Sequence, residues 1–81
     1  MDDKDLEKIE SAAFKRLISH LQNRTDVQNI DVMNLAGFCR NCLSRWMHEE
    51  ADKLNINYSK EAAQEHVYGM TYEGWKKNFQ K

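Results

Sequence analysis

The sequence predicts an all-α protein, a small bundle of about four helices that forms a single helical domain over residues 1–81. Apolar residues recur every three or four positions along most of the chain, which is the period of an α-helix. No segment shows the strict alternation that is typical of a β-strand. The chain contains three Gly and no Pro, so few positions interrupt a helix. We expect two longer helices that pair and two short C-terminal helices packed across them.

The first helix is predicted from Asp5 to about Asn23. Acidic residues crowd its start and Arg24 lies near its end, which suits the helix dipole. Its apolar stripe consists of Leu6, Ile9, Ala13, Phe14, Leu17, Ile18 and Leu21. A break follows, and either Asp26 or Asn29 is expected to cap the next helix.

A second, longer helix is predicted as one continuous element from about Asp31 to Leu54. Its apolar positions are Val32, Leu35, Cys39, Leu43, Trp46 and Ala51. Gly37 lies inside this helix, where Gly costs about 0.5–1 kcal/mol relative to Ala, so it marks close packing or a break. The preferred interpretation is one long helix that is distorted near Gly37. Cys39 and Cys42 are about 60° apart on the helical wheel, within the apolar stripe, and are therefore expected to face the core.

Two short helices are predicted in the C-terminal third. Ser59 is expected to cap a helix that continues to about Val67 and ends at Gly69. The inner residues of this helix are predicted to be Ala62, Ala63, His66 and Val67. Thr71 is expected to cap the last helix, whose inner face comprises Tyr72, Trp75 and Phe79.

Composition and charge exclude several classes of protein. A chain with 41% hydrophobic and 31% charged residues is not a disordered tail or a low-complexity linker. The net charge of −1 provides no long-range attraction to nucleic acid or to an anionic membrane. The acidic N-terminus is unlike a targeting peptide, and no window approaches the roughly 18 apolar residues of a membrane span. We therefore expect a cytoplasmic protein that binds neither nucleic acid nor membrane.

The spacing Cys39-x-x-Cys42 leaves three interpretations open: structural core thiols, metal ligands or redox-active thiols. The core-facing stripe favours structural thiols, and the reducing cytosol opposes a permanent disulfide. A structural zinc site normally uses two such pairs, or one pair with two closely spaced His. A catalytic cysteine requires an exposed thiolate, which this helix position disfavours unless Gly37 breaks the helix and places Cys39 near a new N-terminus.

Histidines are the candidate partners of these thiols. His20 lies on the flank of the first helix's apolar face, and His66 lies on the inner face of the third helix. If both point inward, they complete a four-ligand set for zinc or iron with Cys39 and Cys42. His48 lies nearly opposite the cysteines and is expected to be solvated. No cofactor is predicted by the leading interpretation.

Polar residues cluster around the start of the second helix. They are Gln28, Asn29, Asp31, Asn34, Arg40 and Asn41. One interpretation is helix capping plus a solvated surface. The functional interpretation is a small polar pocket or a partner-binding edge.

The run VQNIDVMNLAGFCRNCLS, from Val27 to Ser44, resembles the signature of a short bacterial family known as domain of unknown function twelve forty-four (DUF1244). Further matching positions are Ala12, Ala13, Phe14, His20, Leu21, Val67, Tyr68, Gly69, Met70, Tyr72 and Trp75. The resemblance implies a small helical domain from a bacterial cytosol that self-associates, and it implies no particular activity. The family usually has Pro where this chain has Thr71 and an acidic residue near Gly74. Neither His48 nor His66 belongs to its pattern.

The leading hypothesis is a non-enzymatic helical interaction module of otherwise unknown function. A core this small leaves a net stability of about 4–8 kcal/mol, and association commonly supplements it, so we expect a homodimer or another protein partner. The Gln28–Cys42 segment is expected at the contact or pocket. The alternative is a metal-binding or thiol-active protein that uses Cys39 and Cys42 with His20.

Overall fold

The computed structural model describes residues Met1–Lys81 and contains five α-helices and no strand. The helices are α1 (Asp3–Asn23), α2 (Asn29–Ala36), α3 (Arg40–Lys53), α4 (Lys60–Tyr68) and α5 (Tyr72–Phe79). The all-α class is confirmed, and the number of helices is five instead of about four. No helix has the length and the apolar content that crossing a membrane requires.

Helix α1 is longer than the part of it that packs. Its N-terminus is capped by Asp2, whose side chain accepts a hydrogen bond from the backbone N–H of Asp5 at 2.8 Å. Every residue up to position 13 is exposed, and Ile18 and Leu21 are the buried residues of the helix. The first half of α1 therefore extends away from the core with its apolar stripe in solvent.

The predicted continuous helix from Asp31 to Leu54 is wrong, because Gly37 ends α2. Gly37 adopts the left-handed conformation, with φ of 78°, and its N–H donates to Met33 O at 2.9 Å. Glycine is the usual residue at this position after a helix since it lacks a Cβ. Cys39 is extended and precedes the first residue of α3.

The predicted apolar stripe is confirmed only in part. Cys39, Leu43 and Ala51 are buried, whereas Leu35 is 91% exposed, because two separate helices do not share one helical phase. Trp46, on α3 itself, is also exposed. The predicted caps Asp26 and Asn29 are wrong as well. Gln28 caps α2 through a reciprocal capping box with Asp31.

Helices α3 and α4 form an antiparallel pair, joined by a short connector over residues 54–59. The side chain of Asn41, at the start of α3, bonds with Tyr68 at the end of α4. Further along α3, the ring Nδ1 of His48 lies 2.7 Å from Tyr58 O, just before α4. His48 was expected to be solvated, but this contact makes it half-buried.

The predicted boundaries of the two C-terminal helices are confirmed. The hydroxyl of Ser59 accepts from the N–H of Ala62 at 3.0 Å, and that of Thr71 accepts from the N–H of Gly74 at 3.1 Å. Gly69 ends α4 with φ of 74°.

The inner face of α4 is narrower than predicted. Ala63 and Val67 are buried, whereas Ala62 and His66 are exposed. Adjacent residues on a helix are about 100° apart, so His66 turns away when Val67 faces α3. The two longest helices are not the main pair, since α1 packs on α4 and α3 packs most extensively on α4.

One cluster of the apolar core consists of four buried residues from three helices: Ile18, Leu21, Leu43 and Val67. Partly buried apolar residues surround this cluster, namely Phe14, Leu17, Phe38 and Met47. Tyr68 and Trp75 are also buried, with ring centroids 5.2 Å apart, so the aromatic residues of α4 and α5 form a second part of the core.

Substituting the two left-handed glycines should destabilise the fold to different extents. Gly37→Ala should lower the free energy of unfolding by about 1 kcal/mol, from backbone strain alone, since a Cβ at this position meets no atom within 4 Å. Gly69→Ala should cost more, because its Cβ would also lie 3.1 Å from the side chain of Gln22. Urea unfolding of both variants measures the two costs. A Gly37→Ala variant as stable as the wild type, or a Gly69→Ala variant no less stable than Gly37→Ala, would contradict the prediction.

Candidate functional site

The guanidinium of Arg40 joins several parts of the chain. Arg40 is the first residue of α3 and is only 1% exposed. Its Nη2 donates hydrogen bonds to Leu21 O at 3.1 Å and to Arg24 O at 2.7 Å. Its Nη1 donates to Val27 O and to the side-chain oxygen of Asn29, both at 2.9 Å. One side chain thus connects the end of α1, the following loop and the start of α2.

The acceptors at the end of α1 explain how the charge is accommodated. The last carbonyl groups of a helix have no backbone N–H from the following turn to accept a hydrogen bond from, and they form the negative end of the helix dipole. Leu21 O and Arg24 O lie at this end, so a cation that donates to both is favourably placed. Arg40 takes part in none of the five ion pairs of the structure. Neutral oxygens therefore replace the usual carboxylate partner.

Trp75 covers the guanidinium from α5. The Cζ atom of Arg40 lies 4.9 Å from the centroid of the Trp75 ring, which is itself 1% exposed. Burial lowers the pKa of Arg40, because removing a charge from water is unfavourable. The four hydrogen bonds and the aromatic face oppose this effect by favouring the charged form.

A chain of hydrogen bonds runs from Arg40 toward the surface. The Nδ2 of Asn29 donates to the hydroxyl of Tyr68 at 3.0 Å, and this hydroxyl donates to Asn41 Oδ1 at 2.6 Å. The Nδ2 of Asn41 then donates to the hydroxyl of Tyr72 at 3.1 Å. Because a guanidinium only donates, Arg40 sets the direction of every bond in this series. The hydroxyl of Tyr72 accepts the last bond and retains its own hydrogen for donation.

The Tyr72 end of this network opens on a polar cleft of about 340 Å³. The cleft is lined by Gln28, Asn29, Ile30, Asn41, Tyr72, Gln80 and Lys81. Gln28 also fixes the C-terminal segment, since its Nε2 donates to Phe79 O at 2.9 Å and its Oε1 accepts from the N–H of Lys81 at 3.0 Å. The side-chain amides at the cleft are thus mostly engaged in bonds within the protein.

The polar residues that the sequence predicted to form a pocket or an edge do not all lie at one site. Gln28, Asn29 and Asn41 meet at the cleft, and Arg40 lies beneath it. Two others do not contribute: Asp31 serves in the capping box of α2, and Asn34 is exposed on that helix.

The sequence analysis did not connect Tyr68 and Tyr72 with the polar cluster. Buried phenol groups need hydrogen-bond partners, and the amides of Asn29 and Asn41 are such partners, so this requirement could have indicated the contact.

The two cysteines lie at the start of α3 and not within a longer helix. Cys39 is the N-cap residue and Cys42 is the third residue of α3, and their Sγ atoms are 3.8 Å apart. Both are buried, as predicted, and both are free thiols. His20 is exposed near the end of α1. The structure contains no group of three or more His, Cys, Asp or Glu side chains arranged to hold a metal ion.

Comparison with protein-family models gives a match to the larger part of the chain. A family model described as "Protein of unknown function (DUF1244)" matches residues 27–81. The matched range contains the cysteine pair, Arg40 and the whole amide–tyrosine network, while α1 lies outside it. No curated protein sequence matches the chain.

Removing the guanidinium should strongly destabilise the protein. Arg40→Met keeps an unbranched stem but leaves Leu21 O and Arg24 O without their donors, so the free energy of unfolding should fall by about 3 kcal/mol. Arg40→Lys should also destabilise, by about 2 kcal/mol, because a compact ammonium cannot reproduce the planar fork. Arg45→Met is the matched control, since Arg45 is exposed in a surface ion pair and should change stability by less than about 0.5 kcal/mol. Similar urea midpoints for Arg40→Met and Arg45→Met would contradict this role.

Stability should decrease at alkaline pH through Tyr68. Burial raises the pKa of this phenol well above its usual value, and the hydrogen bond from Asn29 opposes the increase only in part. The folded state thus holds the proton more tightly than the unfolded state, which releases it near pH 10. The contribution of this group is therefore fully present below about pH 10 and is lost as the pH rises further. Urea unfolding at several alkaline pH values should show a decline that is shallower in Tyr68→Phe, and equal slopes would refute the assignment.

Proposed function

The chain belongs to the DUF1244 family, whose function is unknown, and we propose from its geometry that it is a non-enzymatic interaction module that pairs with a second copy of itself. It acts in the cytoplasm. The observation that carries the proposal is the apolar stripe on the first half of α1, which has no partner within the chain.

The stripe has the composition of a helix–helix contact. Leu6 and Ile9 are 45% and 51% exposed, and Ala13 is exposed one turn further along. The stripe continues into Phe14 and Leu17, which are half-buried against the core cluster. An unpartnered helical segment of this length is only marginally stable in water, and most helices are stabilised by packing of their apolar face. A partner on this stripe supplies that packing.

The charge distribution along α1 favours a second copy in antiparallel orientation. Between Asp3 and Glu10 there are four acidic and two basic side chains, a net charge of −2. From residue 11 to residue 23 there are two basic side chains, Lys15 and Arg16, and no acidic one, a net charge of +2. In an antiparallel pair the acidic half of each helix faces the basic half of the other, whereas a parallel pair opposes like charges. Leu6 and Ile9 of one copy then face the half-buried Phe14 and Leu17 region of the other.

The Gln28–Cys42 segment provides the second part of the proposed contact. Helix α2 has no buried residue, although half of its positions are large and apolar. Ile30, Met33 and Leu35 are all exposed on it. Aliphatic groups at this density on one short helix favour burial against another protein surface.

The site chemistry supports a non-enzymatic role. The members of the central network are a guanidinium, amides and phenols, which are not groups that exchange protons near neutral pH. These groups form hydrogen bonds with one another and with the backbone, and the bonds connect different helices.

Charge substitutions on the α1 stripe should dissociate the dimer without unfolding the protomer. Leu6→Asp or Ile9→Asp removes an apolar contact worth about 1.5–3 kcal/mol in each copy, so the dimer Kd should rise at least about 100-fold. Sedimentation equilibrium measures the Kd. Ser11→Asp is the control, because Ser11 is exposed on the opposite side of α1 and should leave the Kd within a few fold of the wild-type value.

The salt dependence distinguishes the two orientations. Added salt should weaken an antiparallel dimer, because it screens attraction between opposite charges, and it should strengthen a parallel one. A protein that stays monomeric at high concentration, or a Leu6→Asp dimer as tight as the wild type, would disprove the proposed pairing.

A further inference from the structure

We propose that Cys39 and Cys42 form a reversible dithiol–disulfide couple that exchanges with low-molecular-weight disulfides. This activity does not depend on the proposed pairing of two copies. It rests on the position of the two sulfur atoms at the start of α3 and on the interruption of the helix at Gly37, which separates α2 from α3.

The break at Gly37 places both thiols in a geometry that a continuous helix would not provide. Cys39 is the N-cap residue and Cys42 is at the third helical position. Side chains at these two positions approach each other, as the reciprocal bonds of a capping box show. The Sγ atoms are already 3.8 Å apart, and side-chain rotation can bring them to the bonding distance of about 2.05 Å.

Cysteine is an unusual choice for the N-cap position. Ser, Thr, Asp and Asn are preferred there because their oxygen accepts a backbone N–H, a bond worth about 1 kcal/mol. The Cys39 side chain makes no such bond, so its sulfur is not committed to capping. At the N-cap position the Cys39 side chain lies at the positive end of the α3 dipole. Cys39 is therefore the better placed of the two for nucleophilic attack.

Access to Cys39 is provided by the segment before it. Cys39 and Cys42 are buried, with only 7% and 8% of each residue exposed, so attack on a small disulfide requires a local opening of the structure. A Cβ built on Gly37 would meet no atom within 4 Å, which shows that the chain runs through open space there. In this proposal a local movement of Gly37 and Phe38 provides that opening, at the expense of the contacts of Phe38 with the core cluster and with Trp46.

The exchange proceeds in two balanced steps. The Cys39 thiolate attacks one sulfur of the small disulfide, forms a mixed disulfide and releases one thiolate of the reagent. The Cys42 thiolate then attacks Cys39 Sγ, closes the internal disulfide and releases the second thiolate. The two cysteines are oxidised, the small disulfide is reduced to two thiols, and the two protons pass from the cysteines to the released thiolates.

Equilibration of the full-length protein with glutathione tests the couple. The protein is incubated without oxygen at a series of reduced-to-oxidised glutathione ratios, alkylated with iodoacetamide and analysed by intact mass. We expect one cooperative transition from a doubly alkylated chain to a chain that lacks two hydrogens and carries no label. Urea-unfolded protein is the reference, and the folded pair should form the internal disulfide at less oxidising ratios than the unfolded chain.

Two variants separate the roles of the cysteines. Cys42→Ala should stop at a mixed disulfide between Cys39 and glutathione. Cys39→Ser gains a capping hydroxyl, so it is expected to fold, and its Cys42 should acquire glutathione much more slowly. The proposal is overturned if both thiols stay alkylatable at the most oxidising ratio, if oxidation yields only disulfide-linked dimers, or if protein purified without an affinity tag contains stoichiometric zinc or iron bound by the thiols.

Discussion

The burial of one guanidinium is the constraint on which the arrangement of the helices depends. Arg40 has no carboxylate partner, so its charge is tolerated only while the carbonyl groups at the end of α1, the oxygen of Asn29 and the face of Trp75 surround it. Those groups come from three separate parts of the chain. A displacement of any one of them leaves a charge or a polar group unsatisfied in the interior, which costs far more than the loss of an ordinary apolar contact.

This constraint accounts for the division of α1 into two unlike halves. The C-terminal half is held by its carbonyl groups and by Ile18 and Leu21, whereas every residue of the N-terminal half up to Ala13 is exposed. The anchored half supplies helical turns that are already formed, and the N-terminal half extends from them without a new nucleation step. An apolar surface on such a helix needs less ordering on binding than one on an unfolded segment, which lowers the entropic cost of association.

Local rules predicted much of the fold but not its centre. Both ends of α4 and the start of α5 follow from Ser59, Gly69 and Thr71. These residues act on their near neighbours in the chain, so their effects can be predicted from the sequence. The sequence left a break at Gly37 open but favoured one long helix, because the cost of a glycine within a helix is similar in size to the gain from a left-handed cap. The role of Arg40 was not predicted. Its acceptors lie 11 to 19 positions earlier in the chain, and only the tertiary fold brings them together.

The amide of Gln28 has a consequence for the order in which the protein folds. It bonds to Phe79 and Lys81, so it closes a loop of about fifty residues, and the entropic cost of such closure grows with loop length. Helices α3 and α4 meet across a connector of only six residues and can pair early. The two bonds of Gln28 span more of the chain than any other side-chain hydrogen bond of the structure, so we expect them to form late. The cleft that they border is then completed together with them.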